Sequence, residues 1–362
     1  MTRYQQERNS GLDALRIISM MMIITLHILS HGGLSDQVEF GSKEYFVTNS
    51  FRAFSDMGVN CFILISSYFL CNMNFSIKRV LNIETQVLFY SIIGIALYSV
   101  YAGVDIKQIV QSITPVISGE YWFVTYYMLV LLFSPFLNFF IHKTTKQQLK
   151  RILVLLIFVY SIIPSVFVWS KSFFSQGNDF YWFLTLYFIG AYLRLHYIHS
   201  KPKVLFVIIP CLATVLAEYV MIKLCIMFGY GDQHRFLFFN NNPLFLFASI
   251  CLFLVFLDIR IQNSICIRLI NLLASCSFGV YLIHDNPCLR PVLWKTINPS
   301  QFHDKNLFIM IVCILGTVVG IYIACAIIDY IRQLVFRAIR INNLFEIIEC
   351  RITRFVSHLT NN

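Results

Sequence analysis

The sequence predicts an all-α fold, a polytopic integral membrane helical bundle of about ten transmembrane helices. Of the 362 residues, 58% are hydrophobic and only 13% are charged, and the mean hydropathy is +0.70. Soluble domains carry about a quarter charged residues, so this chain has too few to cover a water-facing surface. Its apolar residues are gathered in runs of about 20, the length of a helix that crosses a bilayer. We therefore expect the lipid bilayer to surround most of the chain.

Ten apolar runs define the expected spans. In chain order they are about 12–31, 54–71, 83–103, 121–141, 150–169, 180–197, 203–229, 243–260, 265–287 and 306–329. The second and the sixth are short or interrupted by polar groups. The first run lacks the small-residue pattern of a cleavage site, so we expect an uncleaved span. Because no Pro- or Ser-rich linker divides the runs, residues 1–336 are predicted to form one membrane domain.

The segment 337–362 is predicted to be a basic amphipathic cytoplasmic tail. Between Arg337 and His358 it mixes Ile, Leu and Phe with Arg and Glu. A helix of this composition lies on the membrane surface with its apolar side in the lipid. We expect the tail to rest on the inner leaflet.

The basic residues predict the side of the membrane that each loop occupies, because cytoplasmic loops are enriched in Lys and Arg. With both termini in the cytoplasm, eighteen basic residues fall on the inner side: Arg3, Arg8, Lys78, Arg79, Lys143, Lys146, Lys150, Arg151, Arg194, Lys201, Lys203, Arg260, Arg268, Arg332, Arg337, Arg340, Arg351 and Arg354. Eight fall on the outer side: Lys43, Arg52, Lys107, Lys171, Arg235, Arg290, Lys295 and Lys305. The bias favours both termini inside. It also accounts for the net charge of +10 without a nucleic acid as partner.

The eleven cysteines are an odd number, and they form no CxxC pair. Most of them lie inside apolar runs, where Cys behaves as a small hydrophobic residue. We therefore expect neither a disulfide framework nor a metal site. We expect no bound cofactor either.

Ionisable residues inside spans are costly and point to function. The first span contains Asp13, Arg16 and His27. Arg16 and His27 are eleven residues apart, which places them on one helical face and ~16 Å apart in depth. Asp13 lies three residues before Arg16 and is expected to pair with it. The structural alternative is that Arg16 extends to the inner interface and His27 bonds a neighbouring helix.

Polar side chains in three other spans are further candidates. Ser66 and Ser67 lie in the second span, although small residues there also suit close helix packing. Glu120 and Trp122 open the fourth span at a position typical of an interfacial aromatic belt. His284 ends the ninth span at a depth similar to that of His27, and the adjacent Asp285 is expected to point in a different direction.

Four stretches carry a resemblance to a known family, the family-3 membrane acyltransferases. Gly11 to Arg16, followed by His27, resembles the family's opening Arg–ten residues–His helix. The stretch 58–70 resembles its second-helix motif, 121–123 its aromatic segment, and 277–287 its late Ser-Phe-Gly-Ile-Tyr-Leu-His segment. Two positions depart from the pattern: Asn60 replaces a common acidic residue, and Ser67 replaces Gly.

The resemblance implies an O-acyltransferase in a bacterial cytoplasmic membrane, without a fused extracellular domain. Its donor would be acyl-CoA, commonly acetyl-CoA, used as a co-substrate. Its acceptor would be a carbohydrate, a hydroxyl of a cell-surface polysaccharide or of a lipid-linked precursor.

The resemblance also implies roles for the candidate residues. Arg16 on the first helix, with Lys78 and Arg79 on the inner loop, would hold the phosphates of the donor. His27, in a catalytic set with Arg16 and Asp13, would act as general base or carry the acyl group itself. The side chains that would orient groups or contact the acceptor are Ser66, Ser67, Glu120, Trp122 and His284.

A polysaccharide flippase or polymerase is the alternative from another class. Such proteins need grooves lined by several ionisable residues within spans. In this sequence the intramembrane ionisable residues are few and gather on the helix of Arg16 and His27, which favours an enzyme that uses CoA. The absence of an extramembrane domain or coiled coil disfavours a sensory or structural module.

Overall fold

Helices follow the apolar runs because backbone N–H and C=O groups in lipid must be bonded within their own segment. The computed structural model describes residues 8–167, 176–199, 204–232 and 239–360. In chain order its helices are α1 (Ser10–Leu29), α2 (Leu34–Gln37), α3 (Lys43–Ser55), α4 (Met57–Leu70), α5 (Ile77–Tyr101), α6 (Ile106–Ile113), α7 (Trp122–Lys143), α8 (Lys146–Ile157), a π-helical turn (Phe158–Ile162), α9 (Ile163–Val166), α10 (Phe180–His196), α11 (Leu205–Phe228), α12 (Pro243–Asp258), α13 (Ser264–His284), α14 (Arg290–Ile297), a 3₁₀ helix (Pro299–Asp304), α15 (Leu307–Ala338) and α16 (Ile341–Thr360).

Some predicted features lie outside the described residues. They are the basic residues Arg3, Lys171, Lys201, Lys203 and Arg235, the end of the fifth predicted span, the first residue of the seventh, and residues 361–362 of the tail.

The predicted all-α membrane bundle is confirmed. In the described part of the chain, eight helical stretches are long and apolar enough to cross a membrane. The sixth and eighth predicted spans form α10 and α12, which have 17 and 16 residues. Nine residues of each are buried. These two helices lie largely inside the protein, so their length need not match the ~20 residues of a lipid-facing span.

The second predicted span, 54–71, is longer in the structure. A helical stretch of 28 residues runs from Lys43 to Leu70, broken only between Ser55 and Met57, at Asp56. The sequence did not reveal the first half, α3, because its charged and polar residues interrupt any apolar run. The structure nevertheless buries Tyr45, Thr48 and Asn49 of α3 inside the bundle.

Helix α1 is the centre of the bundle, packed against α3, α4, α12, α13 and α15. Its start is capped by Asn9, whose side chain accepts a hydrogen bond from the Leu12 N–H. The approach of α4 depends on Gly58. A Cβ there would lie 2.8 Å from the carbonyl oxygen of Ser19 and 2.9 Å from the Cβ of Met22, both on α1. Close packing of this kind, rather than apolar burial, holds helices together in lipid.

The tail forms the helix α16, which starts after a turn at Arg340 (φ 54°). It packs against α5, where Glu346 pairs with the Lys78 ammonium at 2.5 Å. Glu349 accepts hydrogen bonds from the Ser76 hydroxyl (2.7 Å) and the Lys78 N–H (3.3 Å), at the start of α5. The hydrogen bond from Ser76, the largest influence, lowers the pKa of Glu349. The division at residues 336 and 337 stays a prediction.

Candidate functional site

Two histidines from helices far apart in sequence meet inside the bundle. The Nδ1 atom of His27 on α1 lies 2.9 Å from the Nε2 atom of His284 on α13. His284 is fully buried, and the His27 side chain is 15% exposed. The contact arises because α1 and α13 pack side by side and both helices end at this level.

The hydrogen bonds of this pair fix the proton positions in both rings. His284 Nδ1 lies 2.6 Å from the carbonyl oxygen of Val280, which only accepts, so Nδ1 carries the proton. In a neutral ring, His284 Nε2 is then an acceptor and receives the His27 Nδ1–H. The remaining nitrogen of His27, Nε2, is left with a free lone pair. His27 is thereby oriented as a base.

Charged groups surround the pair on the loop that follows α13. Asp285 Oδ1 lies 3.9 Å from His27 Nδ1, 3.8 Å from His31 Nε2 and 3.1 Å from Arg290 Nη1. The expectation that His284 and Asp285 diverge is wrong. Because α13 ends at His284, Asp285 has left helical geometry (φ −103°, ψ 17°) and faces the same ring.

His31 lies one turn beyond His27, after the end of α1. Burial and then the positive charge of Arg290 lower the pKa of His31, against a smaller opposite influence of Asp285. His31 is therefore mainly neutral at physiological pH.

One atom each of His27, His31 and Asp285 lies within 4.8 Å of the other two, a spacing that suits a metal ion. However, Arg290 already places a positive charge on the only anionic member of the group. The absence of a metal stays a prediction.

A cavity of about 420 Å³ adjoins His27. Along α1 it reaches from His31 down to Met20. Its walls come from α1, α3, α4, α7 and α13. Its lining residues outside these helices are Ser30, His31, Asp56, Gln176, Asn178, Phe239 and Asn240. Among the predicted acceptor contacts, Trp122 lines this cavity. His284 lies behind His27 and touches the cavity only through it.

The other end of α1 carries the predicted ion pair. Arg16 Nη1 lies 3.1 Å from Asp13 Oδ1, and Arg8 Nε lies 2.5 Å from the other oxygen of the same carboxylate. Arg8 also donates to the Asn271 carbonyl of α13, which ties the two helices together at this end. Arg16 is not part of the cavity lining. The structure thus separates it from His27, at opposite ends of one helix.

Lys78 and Arg79, the other predicted donor contacts, differ in their surroundings. The Lys78 ammonium is engaged by Glu346 of α16. The Nη1 atom of Arg79 is buried and has no hydrogen-bond partner among the described residues. Of these two residues, Arg79 is therefore the one that can donate a further hydrogen bond to a ligand.

Ser66, Ser67 and Glu120 lie apart from the His27 cavity. Ser66 donates to the Phe62 carbonyl of its own helix. Ser67 packs against α10, where a Cβ on Gly190 would lie 2.7 Å from its Cβ. Glu120 lines a separate cavity of about 210 Å³. Nothing in the geometry supports acceptor contacts by these three residues.

Asn60, at the position where the sequence departs from the acyltransferase pattern, is a structural anchor. It is fully buried, receives the Trp182 indole N–H at 2.9 Å and donates to the Asn240 carbonyl at 2.7 Å. The amide therefore joins α4 to α10 and to the loop before α12.

Sequence reasoning missed Asp329, a fully buried carboxylate of α15. It receives hydrogen bonds from the Tyr90 hydroxyl (2.8 Å), Gln86 (3.2 Å), Gln333 (2.8 Å) and Arg332 (2.8 Å). The sequence feature that could have revealed Asp329 is its spacing of three residues from Arg332. Asp13 and Arg16 have the same spacing. Asp329 joins α5 to α15 in the way that Asn60 joins α4 to α10.

A family model described as an acyltransferase domain matches residues 9–327, which include both histidines, the cavity and the Asp13–Arg16 pair. No curated protein and no solved structure matches the chain.

Proposed function

The chain belongs to the family-3 membrane acyltransferases, and from that membership we propose the reaction that it catalyses. It transfers an acyl group, in the simplest case acetyl, from cytoplasmic acyl-CoA to a hydroxyl group of a cell-surface polysaccharide or its lipid-linked precursor. The observation that carries the proposal is the His27–His284 pair, which leaves one basic nitrogen beside a cavity of ligand size.

In the proposed chemical step, His27 acts as general base. Its Nε2 takes the proton of the acceptor hydroxyl while the oxygen forms a bond to the thioester carbon. The C–S bond then breaks, and the leaving CoA thiolate receives that proton from His27. The transient positive charge on His27 is stabilised by its hydrogen bond to His284 and by the Asp285 carboxylate 3.9 Å away.

The donor is proposed to approach from the inner end of α1. We propose that Arg16 and Arg79 bind its phosphates, and the buried, unpartnered Nη1 of Arg79 supports this role. The ~16 Å along α1 from Arg16 to His27 is a distance that the extended arm of CoA can bridge. Asp13 would hold the Arg16 guanidinium in place.

Transfer through an acylated His27 would use the same Nε2 atom. In that route the acylated His27 ring either keeps its Nδ1 proton and carries a positive charge for the lifetime of the intermediate, or passes the proton to the completely buried His284. Burial of a charge is costly. We therefore favour direct transfer.

The alternative of a flippase or polymerase has less support. An acyltransferase needs one base at the meeting point of two substrates, which the histidine pair provides. A polymer-translocating groove would need charged side chains repeated along its length, and the lining of the described cavity contains one Arg and one Asp.

The test is acyl transfer by the purified chain in proteoliposomes. Acetyl-labelled acetyl-CoA is added with envelope carbohydrate from the organism that encodes the chain. We expect label on the carbohydrate that mild alkali releases, as expected of an ester. His27→Ala should abolish it, whereas His196→Ala, a matched change away from the cavity, should retain it. Alkali-stable label, or equal transfer by His27→Ala, would contradict the proposal.

A further inference from the structure

Asp56 is a buried carboxylate in the wall of the His27 cavity. It occupies the break between α3 and α4, is 7% exposed and contributes to the lining. Its Oδ2 atom is buried and has no hydrogen-bond partner within the part of the chain that the structure describes. Since buried polar atoms are normally paired, an unpartnered carboxylate at a cavity indicates a ligand that brings hydrogen-bond donors.

Aromatic side chains form the other walls of this cavity. Trp122 and Phe123 come from the start of α7, Phe62 from α4, and Phe278 and Tyr281 from α13. Flat apolar faces of this kind accept the C–H face of a sugar ring, while a few polar groups fix its hydroxyls. The wall composition therefore fits a polyhydroxylated ring.

The charges of the cavity exclude two other occupants. Asp56 offsets the positive charge of Arg52 in the lining, so the cavity offers the CoA phosphates no excess positive charge, whereas the inner end of α1 holds Arg16. A lipid chain would leave the Asp56 carboxylate without a donor and gain nothing from the amides of Asn178 and Asn240 in the wall. Sugar hydroxyls satisfy both kinds of group.

The size of the cavity limits how much of an acceptor enters it. About 420 Å³ lies within the range of roughly 300–1,000 Å³ that small-molecule sites occupy. One or two sugar units fit this space, so the rest of a longer acceptor has to lie outside it.

We infer that this cavity binds one sugar unit of the acceptor, with Asp56 accepting hydrogen bonds from its hydroxyls and Trp122 stacking on its ring. The inference rests on the proposed function, because the bound ring presents its hydroxyl to His27.

The experiment measures CoA release and acetylated product by mass spectrometry, with the protein in nanodiscs. The acceptor probes are the methyl glycosides of glucose, galactose, mannose and N-acetylglucosamine. For the glycoside that accelerates CoA release, Asp56→Asn should raise the acceptor KM about tenfold, the value of a hydrogen bond to a charged group. The KM for acetyl-CoA and kcat should change little. Asp36→Asn, an exposed carboxylate outside the cavity, is the matched control.

A second variant protects the test against misfolding of Asp56→Asn. Trp122→Leu removes the stacking face and leaves the carboxylate, and it should likewise raise the acceptor KM with the donor KM unchanged. Each variant is first required to elute as the wild type does in size-exclusion chromatography. An unchanged acceptor KM in a folded Asp56→Asn, or in Trp122→Leu if Asp56→Asn does not fold, overturns the inference.

The wild-type result separates this inference from the proposed function. His27-dependent CoA release that no glycoside accelerates overturns the sugar site and leaves the acyltransferase proposal in place. An absence of any His27-dependent consumption of acetyl-CoA overturns the proposed function itself.

Discussion

In the proposed mechanism, His284 influences the reaction through the side chain of His27. It is fully buried, its Nδ1 proton is held by the Val280 carbonyl, and its Nε2 receives the Nδ1–H of His27. Loss of this acceptor frees His27 to rotate and to take the other tautomer, in which Nε2 carries a proton and is no longer a base. In the proposed mechanism, His284 is therefore a positioning residue that holds the His27 ring rather than a contact of the acceptor.

We expect His284→Ala to lower kcat by roughly a hundredfold, in the range of a lost general base. His284→Gln should retain more activity than His284→Ala, because its amide oxygen can accept from His27 Nδ1–H. The KM values for donor and acceptor should stay near those of the wild type. The measurement is steady-state acyl transfer by the three proteins. Equal kcat of the Ala and Gln variants would refute the positioning role.

The neighbouring residues Lys78 and Arg79 should differ in their effect on the donor. Arg79 has a buried nitrogen without a partner, whereas the Lys78 ammonium is already paired with Glu346. Arg79→Ala should raise the KM for acetyl-CoA about tenfold through a lost charge-assisted hydrogen bond. Lys78→Ala, its matched control, should change this KM by less than about twofold, as for an exposed charge. The reverse order of the two effects would assign the phosphates to Lys78.

At the scale of elements, the contact between α1 and α4 is the packing on which the site depends. Helix α4 lines the cavity from one side and α1 carries His27, so a change in their separation alters the cavity directly. Gly58 sets this separation, since there is no room for a Cβ against the backbone of α1.

Gly58→Ala is expected to destabilise the folded protein by about 1–3 kcal/mol through overpacking. Gly316→Ala is the control, because no atom lies within 4 Å of a Cβ at this position of α15. Thermal unfolding in detergent measures both variants. A Gly58→Ala protein as stable as Gly316→Ala would show that α4 moves away from α1 without cost.

The helices also show which features of the fold can be predicted from the sequence. Hydropathy predicted the apolar helices closely, because a helix in lipid is apolar along its whole span. For example, the predicted span 83–103 corresponds to the helix Ile77–Tyr101. It missed α3, whose polar residues are buried against protein rather than lipid. The same reasoning found Arg16 and His27 within one helix. It did not predict the contact of His27 with His284, since 257 residues separate them and only the tertiary packing brings them together.

At the scale of the whole molecule, orientation decides which substrate meets which end of α1. The bias of basic residues predicts that the Arg16 end faces the cytoplasm and that the cavity faces the outside. We expect a membrane-impermeant maleimide to label Asp36→Cys in intact cells. The same reagent should reach the native Cys350 of α16, which is exposed, only in inverted vesicles. Labelling of Cys350 from outside would reverse the topology and the proposed donor path.

The central position of α1 has a consequence for how the protein is made. This helix is synthesised before its partners α4, α13 and α15, and α13 follows it by more than two hundred residues. Until then Asp13 already has Arg8 and Arg16 beside it, whereas His27 has to wait for its partner His284 on α13. Polar groups exposed to lipid are costly. During synthesis, α1 therefore has to be shielded from lipid by the translocon or an insertase. A chain truncated before α13 should be degraded by membrane quality control.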